Sequence, residues 1–258
     1  MKHQKKRSKM SKIQDLPDEL VLKILRNSET KDLISCGQVS QRIRKISHDC
    51  SLWVTANFER KIVKTQLLEM ILSKGCKILN ISNSAFVGTL NANVKSHLRV
   101  LDLSQSDLAF SSCTKNTKVF EELLDSCRSL QHLKMKALPI TPKMALSICK
   151  NGKTLQKLNL NYTFVDESSY SDNQPYESFE KIIKWCQELK EVDLTGSDSG
   201  LNRYNLDFLV KNITPNIEKL NLKSTLFDYE LVKILFRRCQ KIETMSWAGL
   251  EYKCENIN

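Results

Sequence analysis

Residues 155–160 read "LQKLNL", and the same form returns along the chain. It recurs as "CKILNI" (76–81), "LRVLDL" (98–103), "LQHLKM" (130–135), "LKEVDL" (189–194), "IEKLNL" (217–222) and "IETMSW" (242–247). The second apolar position of each falls at 79, 101, 133, 158, 192, 220 and 245, giving intervals of 22, 32, 25, 34, 28 and 25 residues. A unit this small cannot bury its own apolar face, so recurrence at such a period predicts stacked units sharing one core.

This is the leucine-rich-repeat period with insertions, and it predicts an α/β solenoid of about seven repeats. Period-two alternation buries Leu101 and Leu103 and exposes Val100, Asp102 and Ser104. Stacked in parallel, such strands make a curved open sheet. Helical segments lie between them at 117–127, 141–150, 176–186 and 229–239, with apolar residues spaced by three and four, as in Phe120, Leu123, Leu124 and Cys127. The strands are expected on the concave face and the helices on the convex one. Cys127, Cys186 and Cys239 each stand three residues before the first apolar residue of a repeat, which resembles the cysteine-containing class of leucine-rich repeats.

The concave face exposes three rows of side chains. The middle row reads Asn80, Asp102, Lys134, Asn159, Asp193, Asn221, Ser246. The row before it carries Lys157, Glu191 and Lys219, and the row after it Lys136, Lys223 and Ala248. Two readings stand: a solvated sheet surface, or a protein-binding face for an acidic or phosphorylated segment near Lys134, Lys136 and Lys157. The candidate substrate-binding residues are Asp102, Lys134, Lys136, Lys157, Asn159, Asp193 and Asn221. Mixed charge argues against a phosphate-backbone track, which needs one sign throughout. A polar, acidic insertion at 161–178 interrupts the fourth interval.

Composition narrows the class. Of the 258 residues 41% are hydrophobic and only 7% aromatic, so the core is aliphatic. Net charge is +11, but six cations and no acid lie in residues 1–12, leaving +5 on the other 246 residues. The tail "KHQKKRSK" (2–9) fits a nuclear-import signal, a solvated arm or direct nucleic-acid contact. Nine cysteines without a C-x-x-C pair fit reduced, buried thiols, and four scattered histidines offer no ligand spacing. No cofactor and no metal site are expected. The basic start lacks a following apolar stretch, and no segment has the ~20 apolar residues of a membrane span. The expectation is a soluble chain of the nucleus and cytoplasm. No phosphate loop, H-E-x-x-H or nucleophile–base arrangement is visible, so no catalysis is expected.

Residues 15–53 do not follow the repeat. Pro17 suits a first helical turn, with Asp18 and Glu19 at its positive end. Leu20, Val21, Ile24 and Leu25 read as one face, Thr30 as an N-cap, and a third helix runs from about Val39 to His48. Three short helices hold little core, so some apolar surface should meet a partner or the repeat array.

The stretch "LPDELVLKIL…KDLISCGQVSQRIRKISHDCSLW" resembles the F-box, which opens with Leu-Pro-x-Glu and closes with Asp-x-x-Leu-Trp. Leu16, Pro17, Glu19, Leu20, Ile24, Asp32, Leu33, Val39, Ser40, Arg44, Ile46, Asp49, Leu52 and Trp53 fit that pattern. Ile43 stands where a Trp or Phe is common, and Ser28 where a Leu is common. With the repeats behind it, the chain resembles the F-box/leucine-rich-repeat proteins. The segments at 96–108 and 155–164 are similar to early repeats of members that recognise cell-cycle inhibitors. The resemblance implies a basic tail at 1–14, an F-box at 15–56 and a solenoid at 57–258. It implies a substrate-recognition subunit of an SCF-type cullin–RING ubiquitin ligase. The F-box would dock on the S-phase kinase-associated linker protein, which joins it to a cullin scaffold, through Leu16, Pro17, Leu20, Ile24, Leu25 and Val39. The repeats would hold a protein substrate. A non-degradative interaction scaffold in the nucleus is the alternative.

Overall fold

The computed structural model describes residues 13–91, 93–105, 113–163, 174–197, 200–247 and 250–253. The basic start, Cys254, Ala248 and most of the acidic insertion lie outside these residues. The chain divides after Val54 into two compact units.

The first unit holds α1 (Asp18–Leu25), α2 (Thr30–Cys36) and α3 (Gln41–Ser47), with α3 packed against both others. Pro17 stands just ahead of α1 rather than in its first turn; its ψ of 152° is extended and its carbonyl accepts from Leu20 and Val21 N–H at 3.1 Å. Glu29, not Thr30, holds the N-cap position of α2, and Thr30 is buried as the first helical residue. Ser40 Oγ accepts from Ile43 N–H at 3.2 Å, so α3 begins after it and Val39 lies outside the helix. Val21, Leu25, Leu33, Ile43, Ile46 and Trp53 are buried, and Trp53 Nε1 donates to the Ser47 carbonyl at 2.8 Å.

The second unit runs in chain order β1 (Thr55–Asn57), β2 (Ile62–Lys64), α4 (Thr65–Ser73), β3 (Ile78–Asn80), β4 (Ala85–Val87) and β5 (Val100–Asp102). It continues α5 (Cys113–Ser126), β6 (His132–Lys134), α6 (Pro142–Cys149), β7 (Lys157–Asn159), α7 (Gln174–Trp185) and β8 (Glu191–Asp193). It closes with α8 (Arg203–Asn212), β9 (Lys219–Leu222), α9 (Tyr229–Arg238), β10 (Thr244–Trp247) and β11 (Leu250–Lys253). Among the described residues the sheet order is β1-β3-β5-β6-β7-β8-β9-β10-β11, parallel throughout except for β11.

The seven strands expected from the repeat are β3 and β5 to β10. Their register places Leu79, Leu101, Leu133, Leu158, Val192, Leu220 and Met245 directly opposite one another. None of the seven is more than 3% exposed. The helices α5 to α9 pack side by side over this buried face.

Among the described residues the sheet carries one further strand at each end of the seven. The sheet starts at Thr55, ahead of the expected boundary at 57, because Ala56 pairs opposite Leu79 and is itself buried. At the far end β11 turns back antiparallel, and so covers the edge that β10 would leave open. The first interval, 22 residues long, carries no helix among its described residues on the way from β3 to β5; instead β4 pairs with β2 in a small parallel sheet. Helices α4 and α8 were not singled out from the repeats. The start of α8 is set by a capping box in which Asn202 and Asn205 bond each other's backbone N–H.

Cys76, Cys127, Cys186 and Cys239 are fully buried. Burial pushes the Cys76 and Cys127 thiols up to about 11, so both stay protonated at neutral pH. Cys127 Sγ donates to the Leu123 carbonyl at 3.2 Å at the end of α5.

One buried polar side chain holds two repeats together. Asn151, 1% exposed, accepts from Leu130 N–H at 3.0 Å and donates to the Cys127 carbonyl at 3.2 Å and to the Ser147 carbonyl at 3.1 Å. Replacing it strands buried backbone groups, each worth about 1–3 kcal/mol. Asn151→Ala should lower the unfolding free energy by about 2–4 kcal/mol in a urea titration; a loss under about 0.5 kcal/mol contradicts this role.

Candidate functional site

Two surfaces carry the side chains singled out from the sequence. The first lies on the helical unit. In α1 each residue advances 100°, so the pair Val21 and Leu25 and the pair Leu20 and Ile24 form neighbouring stripes. Val21 and Leu25 are buried, while Leu20 and Ile24 are 47% and 45% exposed. Leu25 therefore belongs to the core, at 3% exposure, and not to the docking set in which the sequence reading placed it. Pro17 is exposed, Leu16 half-buried and Val39 67% exposed. Ile13 adds a further exposed apolar side chain not anticipated from the sequence. Arg42, on the first turn of α3, ties down the start of α1: its Nε and Nη2 donate to Asp18 Oδ1 at 2.8 and 2.6 Å, and Nη2 also reaches the Leu16 carbonyl. The guanidinium fixes the path of Leu16 and Pro17, and its own salt bridge faces water.

The second surface is the open face of the sheet, where β5 to β10 line a shallow trough of about 470 Å³. Its middle row does more than face solvent. Asp102, Asn159, Asp193 and Asn221 each turn one side-chain oxygen back onto the backbone N–H two residues on, at 3.0, 3.0, 3.0 and 3.2 Å. Asn80 and Asn57 do the same at 3.0 Å. This Asx turn ends β1, β3, β5, β7, β8 and β9. The residue after it is left-handed at Arg60 (φ 55°), Asn83 (54°), Tyr162 (54°), Gly196 (72°) and Ser224 (51°), and Ala137 takes the same conformation after β6, at 52°, without an Asx turn. Four of the seven side chains expected to touch a substrate are thus first of all strand terminators. Lys134, which has no side-chain oxygen, makes no such turn.

The charges are largely paired across strands. Glu191 Oε1 accepts from Lys157 Nζ at 2.9 Å and lies 3.4 Å from Lys219 Nζ. Lys134 Nζ stands 3.7 Å from Asp102 Oδ2. Burial pushes the Glu191 carboxyl up, but the hydrogen bond and charge of Lys157, with Lys219, outweigh it and hold the group below the usual carboxylate range. His132, beside them, is held below its usual value by burial first and by Lys157 and Lys134 next, against the opposing pull of Glu191. Lys136, past the end of β6, is exposed, with Nζ 5.8 Å from the centre of the Tyr162 ring.

Among the described residues no group of three or more His, Cys, Asp or Glu is placed to hold a metal ion, and no helix is long and apolar enough to cross a membrane.

Residues 13–59 match the F-box-like family. Members of that family generally bind a linker protein and typically occur in non-catalytic adaptors. The chain is also similar to the crystal structure of the leucine-rich-repeat-containing protein LegL7 from Legionella pneumophila. The identity is 15%, over 89% of this chain and 70% of that one, with a TM-score of 0.40. The fold assignment rests on the strand order and the register of the leucine column. An F-box-like segment is followed here by a leucine-rich-repeat solenoid.

His132 gives a test of the face's electrostatics. Its folded pKa lies below its ordinary 6.5, so protonation opposes folding: the penalty is absent well above 6.5 and grows as pH falls through that value. Between about pH 8 and pH 5, His132→Gln should lose less stability than the wild type in urea midpoints; equal losses contradict the reading.

Proposed function

We propose that this chain is the substrate-recognition subunit of an SCF-type cullin–RING ubiquitin ligase. The helical unit docks on the S-phase kinase-associated linker protein, which joins it to the cullin scaffold. The open face of the solenoid holds a protein substrate, a cell-cycle regulator in the family members it resembles, and the site of action is the nucleus and cytoplasm. The chain contributes no catalysis; it brings substrate to an enzyme that transfers ubiquitin.

One observation carries the reading. α1 has a second apolar stripe, Leu20 and Ile24, that its own unit leaves open after Val21 and Leu25 have built the core. Half-open Leu and Ile side chains gain about 1 kcal/mol each on being covered, and the F-box-like match spans these positions. The exposed Pro17 and Val39 extend the apolar set.

The test separates docking from folding. Leu20→Asp with Ile24→Asp should leave the helical circular dichroism intact and weaken capture of the purified linker protein by at least about 100-fold, since two carboxylates would enter an apolar contact. Leu25→Asp should instead unfold the first unit. Undiminished capture by the double variant refutes the contact, and capture of the linker protein without any cullin from cells refutes the ligase.

A further inference from the structure

We infer that the rim of the sheet running from Lys136 to Lys223 is the subsite for an acidic, extended segment of the captured protein. The inference rests on the substrate-receptor reading above and narrows it. Pairing decides which cations are available. Lys134 faces Asp102, and Lys157 and Lys219 share Glu191. Lys136 and Lys223 have no carboxylate within 4.0 Å among the described residues. Of the three lysines favoured on sequence, Lys134 and Lys157 are thus paired and Lys136 is left, so the anion site shifts to the row beyond the strands.

That row is built with the same regularity as the sheet. The ladder continues past the strand ends: Gln105 N–H donates to the Lys136 carbonyl at 2.8 Å, Ala137 to Asn161 at 2.8 Å, Tyr162 to Thr195 at 2.8 Å and Gly196 to Lys223 at 2.9 Å. Lys136, Asn161, Thr195 and Lys223 thus occupy four consecutive rungs. Three rung spacings separate the two lysines by about 14 Å. An extended chain advances about 3.4 Å per residue, so residues i and i+4 are the same distance apart and point to the same side.

Between the two cations lies an aromatic platform. Tyr162 is 43% exposed, and its ring lies against Gly196, where an added Cβ would fall 2.2 Å from Cε1. Gly196 is left-handed at φ 72° and lacks the side chain that would lift the ring away. The neighbouring carboxylate, Asp193, is occupied: Oδ1 takes the Thr195 hydroxyl at 2.7 Å and Oδ2 the Asn159 amide at 3.3 Å. The complementary ligand is a segment with an acidic residue, an apolar residue two positions on and a second acidic residue two further on. A phosphorylated serine or threonine supplies the same chemistry at either acidic position.

The test uses the full chain and fluorescence anisotropy at low salt. The probe is a labelled peptide with two glutamates four residues apart and a leucine midway; the comparison peptide has lysines in place of both glutamates. Lys136→Glu with Lys223→Glu should weaken the glutamate peptide by about tenfold, Tyr162→Ala by a few-fold, and Lys134→Ala by less than about twofold. The lysine peptide should bind measurably worse than the glutamate peptide. Equal binding of the two peptides, or indifference to the double charge reversal, overturns the rim site. Tighter binding of a single-stranded oligonucleotide than of the glutamate peptide overturns it in favour of a nucleic-acid face. Linker-protein capture by the same preparations keeps the two claims apart: normal capture with unchanged peptide binding sinks the rim alone, whereas failure of the wild type to capture the linker sinks the receptor reading.

Discussion

A strand of three residues cannot bury its own apolar side chain, and that limit organises the second unit. Leu79, Leu101, Leu133, Leu158, Val192, Leu220 and Met245 reach burial only because each stands opposite the next. Stability in such an array is a sum over neighbouring contacts, so the ends matter as much as the middle. Here β1 covers one end and the antiparallel β11 the other. The same register dictates the chemistry of the open face. Once the leucine column is aligned, every polar residue beside it is placed on a rung, and charges far apart in sequence, such as Lys157 and Glu191, come within 2.9 Å.

Regularity limits what each position is free to do. After five of the seven column residues an Asn or Asp ends the strand by accepting a backbone N–H, and four of those turns continue into a left-handed residue. That backbone conformation costs a non-glycine residue roughly 1–2 kcal/mol, and the continuing ladder holds it at Ala137 and Tyr162. The face is therefore a stiff frame whose variable content is charge. Its central lysines are largely neutralised by neighbours. In the first unit the corresponding division of labour occurs within one helix. α1 spends Val21 and Leu25 on its own core and leaves Leu20 and Ile24 outside.

The sequence made the column legible because L-x-x-L-x-L repeats along 76–247 with few gaps, and burial follows that alternation residue by residue. Helices α5, α6, α7 and α9 were legible from apolar residues spaced by three and four between the repeats. β1 was not, since Ala56 lacks a leucine pattern and gains its place only by pairing with Leu79. The two stripes of α1 have identical i, i+4 spacing, so spacing alone could not tell Leu25 from Leu20; the packing of α3 decides it. The middle-row acids and amides read as an exposed polar row, but their Asx turns depend on backbone geometry that composition does not encode. Asn151 was missed because a buried asparagine between two repeats has no periodic signature; its position two residues after Cys149 at a helix end was the available clue.

An outward apolar stripe on α1 and an open sheet face on the second unit are the two surfaces to be told apart. Hydrogen–deuterium exchange of the full chain, with and without the purified linker protein, addresses that directly. Slowed exchange confined to residues 13–47, with the amides of β5 to β9 unchanged, is the predicted result. Protection that appears on the sheet and leaves α1 untouched would contradict the assignment of the docking face and the division of labour built on it.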